Sequence, residues 1–363
     1  MARLGLGADW RCVFANEWDV RKAAAYRAMF GPCPELLVED VARLEPERIP
    51  GRPDLVWASF PCQDLSLAGN GAGLHGARSG TFKPFWRLVR KLAAEGRGPR
   101  LAVLENVTGT LTSHGGRDFA YLCGAVEGAG YRFGALVIDA IRFLPQSRPR
   151  LFIVAAKQAS WPAELAADGP DPLWHPPGLL RAFAQLPARV AGKWVWWRLP
   201  EPPPRRMELK HLLEPDPPGG WHPPAETARL LSLMTETQLR KVRAMQAAGG
   251  SQVGTVYRRT RPDPVSGARR QRAEVRCDGV AGCLRTPGGG SSRQFLIEVR
   301  GASIRTRLLS AREAARLMGV PDAYPAPANA NEAYHLFGDG LAVPAVAWLS
   351  RHLLSPLARY LAM

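Results

Sequence analysis

The sequence lacks long apolar segments and the cysteine patterns that hold metals or disulfide frameworks. No apolar run approaches the roughly 18 residues of a membrane-spanning helix, and no charged-then-apolar leader opens the chain. Six cysteines are scattered without a Cys-x-x-Cys pair, and the spacing of Cys277 and Cys283 matches no common zinc pattern. We therefore expect a reduced, cytoplasmic protein with neither a membrane span nor a bound metal.

Lysine is also scarce, although the chain is strongly basic. Only seven of the 48 lysine and arginine residues are lysine, and the formal net charge is +16. This charge favours a polyanionic partner such as nucleic acid. The strong preference for arginine over lysine is also compatible with an effect of genome composition. Charge alone therefore does not identify the partner. With 363 residues, of which 46% are hydrophobic, the chain is long enough for two domains.

One stretch joins a buried strand to a reactive side chain. The first half of residues 54–66 contains a short apolar run typical of a strand, and Pro61 breaks it just before Cys62. Proline restricts the backbone next to the thiol, and ligands in open α/β sheets bind beyond the carboxyl ends of the strands. For a cysteine taken alone, a buried structural role is the alternative.

The residues around this cysteine resemble the nucleophile motif of the cytosine-5 DNA methyltransferases of bacterial restriction-modification systems. The motif is Phe-Pro-Cys-Gln followed by Asp-Leu-Ser-Leu-Ala-Gly at residues 60–69. Two more motifs follow in the family's order, Glu-Asn-Val at 105–107 and Pro-Gln-Ser-Arg-Pro-Arg at 145–150. The resemblance implies the fold of S-adenosylmethionine-dependent methyltransferases, an α/β fold with a doubly wound, mostly parallel sheet and a second, irregular domain.

The resemblance also implies a reaction and a role for each motif. The reaction is transfer of a methyl group from S-adenosylmethionine to carbon-5 of a cytosine flipped out of double-stranded DNA. Cys62 would attack carbon-6 of the base, and Glu105 would protonate N3. Arg150 would contact the carbonyl oxygen of the base, and Arg148 would organise the thiolate and its surroundings.

A cofactor site is implied by further residues at strand ends. In the family, the residue matching Glu17 holds the ribose hydroxyls, the one matching Trp18 packs on the adenine, and the one matching Asp40 accepts from the adenine amino group. Pro61 and Asp339 complete the predicted set of cofactor contacts. Taken singly, a carboxylate such as Glu17 is more often a solvated charge, and Asp40 suits a helix cap.

The chain departs from the family pattern in two places. Asp339 and Gly340 stand where Asn and Ser are more usual. The family also opens with a central strand and a Phe-x-Gly-x-Gly loop that cradles the methionine end of the cofactor, and this sequence starts after that element. Either the true start lies upstream, which the intact catalytic motifs favour, or the chain is a remnant that binds DNA without cofactor.

Strands and helices alternate up to about residue 157, and proline then becomes dense. We predict a catalytic domain over 1–157, a target-recognition domain over 158–330, and a segment over 331–363 that returns to the catalytic domain. The aromatic residues of 194–197 are expected in the core of the second domain rather than on a base-stacking platform.

Two arginine clusters in the predicted recognition domain are candidates for DNA contacts. They lie at 257–261 and 269–272, and a solvated surface is the alternative for either. Ser310 and Glu313 form a capping-box pattern at the start of a helix. A tRNA cytosine-5 methyltransferase on the same fold is the rival interpretation. We expect a monomer, and the resemblance suggests a companion restriction endonuclease.

Overall fold

The computed structural model describes residues 1–60, 81–158, 160–262, 267–287, 293–327 and 329–362. The strands are β1 (Ala15–Glu17), β2 (Leu36–Val38), β3 (Leu55–Ser59), β4 (Leu101–Val107), β5 (Arg132–Asp139), β6 (Pro149–Ala156), β7 (Ala166–Ala167), β8 (Trp196–Trp197), β9 (Ser251–Pro262), β10 (Arg269–Arg276), β11 (Gln294–Arg300) and β12 (Ser303–Leu308). The α-helices are α1 (Ala2–Leu6), α2 (Val20–Phe30), α3 (Phe82–Ala94), α4 (Arg117–Gly128), α5 (Pro177–Ala184), α6 (Ala188–Ala191), α7 (Pro224–Ser232), α8 (Glu236–Ala247), α9 (Ala311–Leu317), α10 (Ala330–Asp339), α11 (Val343–Leu349) and α12 (Ser355–Ala362).

The chain divides into two compact units that each contain several separate stretches of sequence. The first, which we call the α/β unit, consists of residues 3–139, 149–202 and 346–363. The second, which we call the antiparallel unit, consists of residues 1–2, 140–148 and 203–345.

The α/β unit mixes parallel and antiparallel strand pairs. β1 pairs with β2 in parallel, and β3 pairs with β4 in parallel. β6 runs antiparallel to both β4 and β5, so this sheet has the order β3-β4-β6-β5. The predicted α/β class is confirmed, but the described strands are less uniformly parallel than expected. Only residues 140–148 join β5 to β6, and a parallel crossover needs about a dozen residues or more.

β4 is buried along almost its whole length, as a strand with an apolar run on both faces should be. Helix α3 covers one face of the sheet through Phe82, Trp86 and Val89, which recur at helical spacing and lie in the main core. The same core takes Ala102 and Leu104 from β4. The polar residues Glu105 and Asn106 therefore sit at the end of a rigid, well-packed strand.

Residues typical of helix caps flank helix α2 at both ends. Asp19 caps it, because the Asp19 carboxylate accepts from the backbone N–H groups of Arg21 and Lys22 at 2.8 and 3.4 Å. Gly31 ends it with a φ of 74°, a conformation that glycine adopts readily.

The tryptophan-rich segment belongs to the α/β unit, whereas the sequence predicted it in the second domain. The N–H of Val195 donates to the carbonyl of Phe133 on β5 at 2.7 Å, and Trp197 Nε1 donates to the carbonyl of Val154 at 2.9 Å. Trp197 is completely buried, as expected for a core residue. These bonds attach the segment to the sheet. The stretch of the α/β unit that begins at Pro149 therefore extends to Pro202 rather than ending at 157.

The antiparallel unit is built on a four-stranded sheet with the order β10-β9-β11-β12. Helices α7 and α8 and the turn between them contribute Leu230, Met234, Val242 and Met245 to its core. The core residues of β10 and β11 alternate along each strand and β9 adds one more, so other side chains occupy the opposite face of the sheet. The sheet residues in this core are Val256, Ala273, Val275, Phe295, Ile297 and Val299.

A buried ion pair connects β12 to the start of α9. Arg307 donates twice to Glu313, with both N–O distances at 2.7 Å, and both side chains are almost completely buried. Glu313 also accepts from the backbone N–H of Ser310 at 2.8 Å, while the Ser310 hydroxyl accepts from the Glu313 N–H at 3.0 Å. The capping box predicted from the sequence is thus confirmed.

We expect Glu313→Ala to lower the free energy of unfolding by about 3–5 kcal/mol, because it leaves the Arg307 charge buried without this carboxylate. Chemical denaturation followed by circular dichroism measures this loss. Glu236→Ala is the control, since Glu236 pairs with Arg243 on the solvent-exposed surface of α8 and should matter little. Equal midpoints for Glu313→Ala and the unaltered protein would show that the buried pair does not stabilise the fold.

No helix within the described ranges is long and apolar enough to cross a membrane. The same ranges contain no group of three or more His, Cys, Asp or Glu side chains arranged to hold a metal ion.

Candidate active site

Glu105 and Arg150 form a paired acid and cation at one end of the α/β sheet. Glu105 is 6% exposed and lies near the carboxyl end of β4. Arg150 is opposite Val107 in the β4–β6 register, so it shares a face with Glu105. The Arg150 Nε and the Glu105 Oε1 are 3.3 Å apart. A buried carboxylate requires a partner of this kind, and Arg150 is a residue that the sequence also assigned to the active site.

Asn106 connects this strand end to the backbone before the predicted nucleophile. Its Nδ2 donates to the carbonyl of Phe60 at 3.4 Å, and its Oδ1 accepts from the N–H of Val107 at 2.9 Å. Pro61 and Cys62 follow Phe60 directly and lie outside the described residues. The sequence assigned no role to Asn106. Its position in the Glu-Asn-Val motif, at the end of an apolar strand, was the signal that could have indicated a structural role there.

Arg148 lies in the antiparallel unit, where it holds the loop around Asp339. It is 1% exposed, and its Nη1 donates to the carbonyl of Leu284 at 2.9 Å. Its Nη2 donates to the carbonyls of Gly338 and Gly340 at 2.7 and 2.6 Å. The two glycines flank Asp339, so Arg148 determines the path of this loop. The predicted role of Arg148 at the thiolate stays a prediction.

Arg148 and Arg150 contact different partners, although they are only two residues apart in the same motif. Residues two apart on a strand share a face, but β6 begins at Pro149, so this alternation does not include Arg148. Gln146 behaves like Arg148, since it is fully buried and donates to the carbonyl of Leu317 at 2.5 Å. The motif is therefore divided between the two compact units, with residues 145–148 in the antiparallel unit and 149–150 in the α/β unit.

Glu17 and Asp40 lie at the carboxyl ends of the neighbouring parallel strands β1 and β2. Glu17 Oε1 accepts from the N–H groups of Trp18 and Asp19 at 2.9 and 3.0 Å, which holds the carboxylate at the strand end. Asp40 Oδ1 accepts from the N–H of Ala42 at 2.9 Å, so the capping role that was the alternative for Asp40 is present. Trp18 is 74% exposed. The cofactor roles of all three stay predictions.

Comparison with known proteins identifies the family. The family model described as C-5 cytosine-specific DNA methylase matches residues 2–355 of this chain. The chain belongs to this family. The relatives include the Type II methyltransferase M.HpaII of Haemophilus parainfluenzae, which is 25% identical over 96% of this chain and 84% of the relative. M.HhaI of Haemophilus parahaemolyticus is 23% identical over 95% of this chain and 88% of its own length.

Solved structures share the fold of this DNA methylase. The Dnmt2 methyltransferase of S. pombe superposes with a TM-score of 0.54 at 15% identity, over 99% of this chain and 95% of the other. The methyltransferase EhMeth of Entamoeba histolytica gives a TM-score of 0.58 at 11% identity, over 97% and 95% of the two chains. At such identities the likeness shows a common fold.

Family membership makes this protein a DNA (cytosine-5-)-methyltransferase with S-adenosylmethionine as its cofactor, so the resemblance read from the motifs is confirmed. The acceptor groups at the ends of β1 and β2 fit the adenosine part of that cofactor. Carboxylates such as Glu17 and Asp40 accept from hydroxyl and amino groups, and the exposed indole of Trp18 offers a stacking face.

Proposed function

We propose that this methyltransferase acts on a cytosine flipped out of a specific duplex DNA site, with Cys62 as nucleophile, Glu105 as acid and Arg150 as the contact to the base carbonyl. The pairing of Glu105 with Arg150 at 3.3 Å carries this assignment. N3 and the carbonyl carbon are neighbours on the cytosine ring. A proton donor for N3 and a hydrogen-bond donor for the carbonyl oxygen must therefore lie side by side.

In the proposed reaction the Cys62 thiolate forms a bond to carbon-6 while Glu105 gives its proton to N3. The electron pair of the carbon-5–carbon-6 double bond is thereby directed to carbon-5, which takes the methyl group. When bound, S-adenosylmethionine would supply that group as an electrophile, and the electron pair of the broken sulfur–methyl bond would stay on its sulfur. Carbon-5 then loses its proton to a base, the sulfur–carbon-6 bond breaks to restore the thiolate, and the N3 proton returns to Glu105.

The two arginine clusters predicted to contact DNA come together on one hairpin. In the β9–β10 register Arg259 is opposite Arg272, and Arg261 is opposite Arg270. Val256 on β9 and Ala273 on β10 face the α7–α8 core. Each of the four arginines is an odd number of residues away from one of them on the same strand, so all four lie on the opposite face of the sheet. We call these four arginines the arginine face. Glu274 lies among them and pairs with Arg259 and Arg261.

The arginine face supports phosphate or base contacts, because it gathers four guanidinium groups on one side of the sheet. The double variant Arg270→Gln/Arg272→Gln is expected to weaken duplex binding. For each phosphate that the variant no longer neutralises, the slope of log K against log salt should become less steep by about 0.9. Fluorescence anisotropy with a labelled duplex across a salt series measures both effects.

The matched control for this double variant is Arg240→Gln/Arg243→Gln on α8. Both of these arginines are exposed, and their helix covers the opposite face of the same sheet. The control removes the same charge from the same unit. If both double variants weakened binding equally, only net charge would matter, and the arginine face would have no special part in DNA recognition.

Bisulfite sequencing of DNA from an expressing host tests the proposed function as a whole. Methylated cytosines that recur within one short sequence would support it. Methyl transfer to tRNA but not to duplex DNA would favour the tRNA methyltransferase alternative. Duplex binding without any affinity for S-adenosylmethionine would favour the cofactor-free alternative. A companion restriction endonuclease and a monomeric state belong to the proposal, and light scattering tests the second.

A further inference from the structure

A second polar cluster lies shortly after Glu105 in the chain, around His114. The backbone of His114 is left-handed, with φ 48° and ψ 38°. No other non-glycine residue in the described ranges has a positive φ. Such a conformation is costly for an ordinary side chain, and it persists where the surrounding structure or a function requires it.

The side chain of His114 is held in one orientation by Asp118. The Asp118 carboxylate is 4% exposed and accepts from the Ser113 hydroxyl at 2.5 Å and from His114 Nδ1 at 3.0 Å. An ionised carboxylate can only accept, so Nδ1 carries the hydrogen in this contact. The other ring nitrogen, Nε2, therefore faces away from Asp118, and the His114 side chain is 29% exposed.

The chain reaches this cluster directly from the carboxyl end of β4, the strand that carries Glu105. The chain leaves the carboxyl end of β4 at Val107, and Thr110 and Leu111 anchor the next turn in the interior. Helix α4 then begins at Arg117, and the Asp118 carboxylate lies in its first turn. The N-terminal end of a helix carries partial positive charge and favours a nearby anion.

We propose that His114 binds a backbone phosphate of the DNA next to the flipped cytosine, with Nε2–H donating to a phosphate oxygen and Asp118 holding Nδ1. The inference rests on duplex DNA being the substrate. When both ring nitrogens donate, the ring is an imidazolium, and its charge strengthens the bond to an anionic oxygen. Asp118 is then a positioning residue that acts through His114.

The alternative is that Ser113, His114 and Asp118 only stabilise the start of α4. The variant His114→Asn separates the two possibilities, because Asn tolerates a left-handed backbone well but has no imidazolium. Its affinity for a labelled duplex of arbitrary sequence is measured across a salt series in mildly acidic buffer. We expect about tenfold weaker binding, since a charge-assisted hydrogen bond is removed. The slope of log K against log salt should become less steep by about 0.9.

The control is His335→Asn, since His335 is exposed on α10 in the antiparallel unit. Asp118→Asn should weaken duplex binding like His114→Asn, and combining the two should cause no further loss. An unchanged affinity and salt slope in His114→Asn would overturn the proposal, whether or not the melting temperature falls. In that case the unaltered protein still binds duplex DNA, and the proposed function stands. Failure of the unaltered protein to bind duplex DNA would overturn both.

Discussion

Replacing Glu105 by glutamine is expected to lower the rate of methyl transfer by about 10²–10⁴-fold. Glutamine has nearly the same shape but cannot protonate N3, so carbon-6 of the cytosine stays a poor target for the thiolate. Single-turnover transfer of a labelled methyl group from S-adenosylmethionine to duplex DNA measures the effect. Binding of the duplex should change much less than the rate, because the proton matters mainly in the transition state.

The control for this variant must separate chemistry from folding, since Glu105 pairs with Arg150 in a largely buried position. Thermal unfolding of the Glu105→Gln protein shows whether loss of this pairing destabilises the sheet. Glu45→Gln removes another carboxylate of the α/β unit, one that pairs with Lys91 at the surface, and should leave the rate unchanged. A Glu105→Gln protein that folds and transfers methyl groups at the normal rate would remove Glu105 from its role.

Cys62→Ala is expected to have the largest effect, a loss of methyl transfer on the order of 10⁶-fold, the scale seen when a catalytic nucleophile is removed. Without the thiolate no bond to carbon-6 forms, and carbon-5 does not become nucleophilic. Duplex DNA that contains 5-fluorocytosine gives a direct measurement. The fluorine at carbon-5 cannot leave as a proton does, so the unaltered protein should remain covalently attached after denaturing electrophoresis.

The alanine variant should form no such adduct, and neither should Cys62→Ser. Cys277→Ala is the matched control, because Cys277 is an exposed free cysteine in the antiparallel unit. It should form the adduct as the unaltered protein does. An adduct in Cys62→Ser would place the nucleophile at a different residue.

Local features of the fold were predictable from the sequence because they depend on neighbouring residues. Asp19 and Gly31 delimit α2 through capping bonds within a few residues of each end. The Ser310 and Glu313 capping box forms for the same reason. The pairing of Glu313 with Arg307 was not predictable in this way, because it depends on how β12 packs against the start of α9.

The candidate site was predictable only in part. The motifs identify Glu105 and Arg150, and strand register then brings them together. The same motif did not reveal that Arg148 turns to the carbonyls of Gly338 and Gly340, since those residues are far away in sequence. The sequence did not single out His114, because a Ser-His-Gly-Gly segment does not predict a left-handed backbone at the histidine.

By itself, the sequence determined the family of this protein, the order of its motifs and the elements whose ends are capped locally, because these depend on residue type and short spacing. Only the tertiary structure decided that β6 runs antiparallel to β4, that the tryptophan-rich segment joins the α/β unit, and that two separate arginine clusters share one face of a hairpin. Each of these follows from hydrogen bonds between separate segments of the chain, and no local preference encodes which strands will pair.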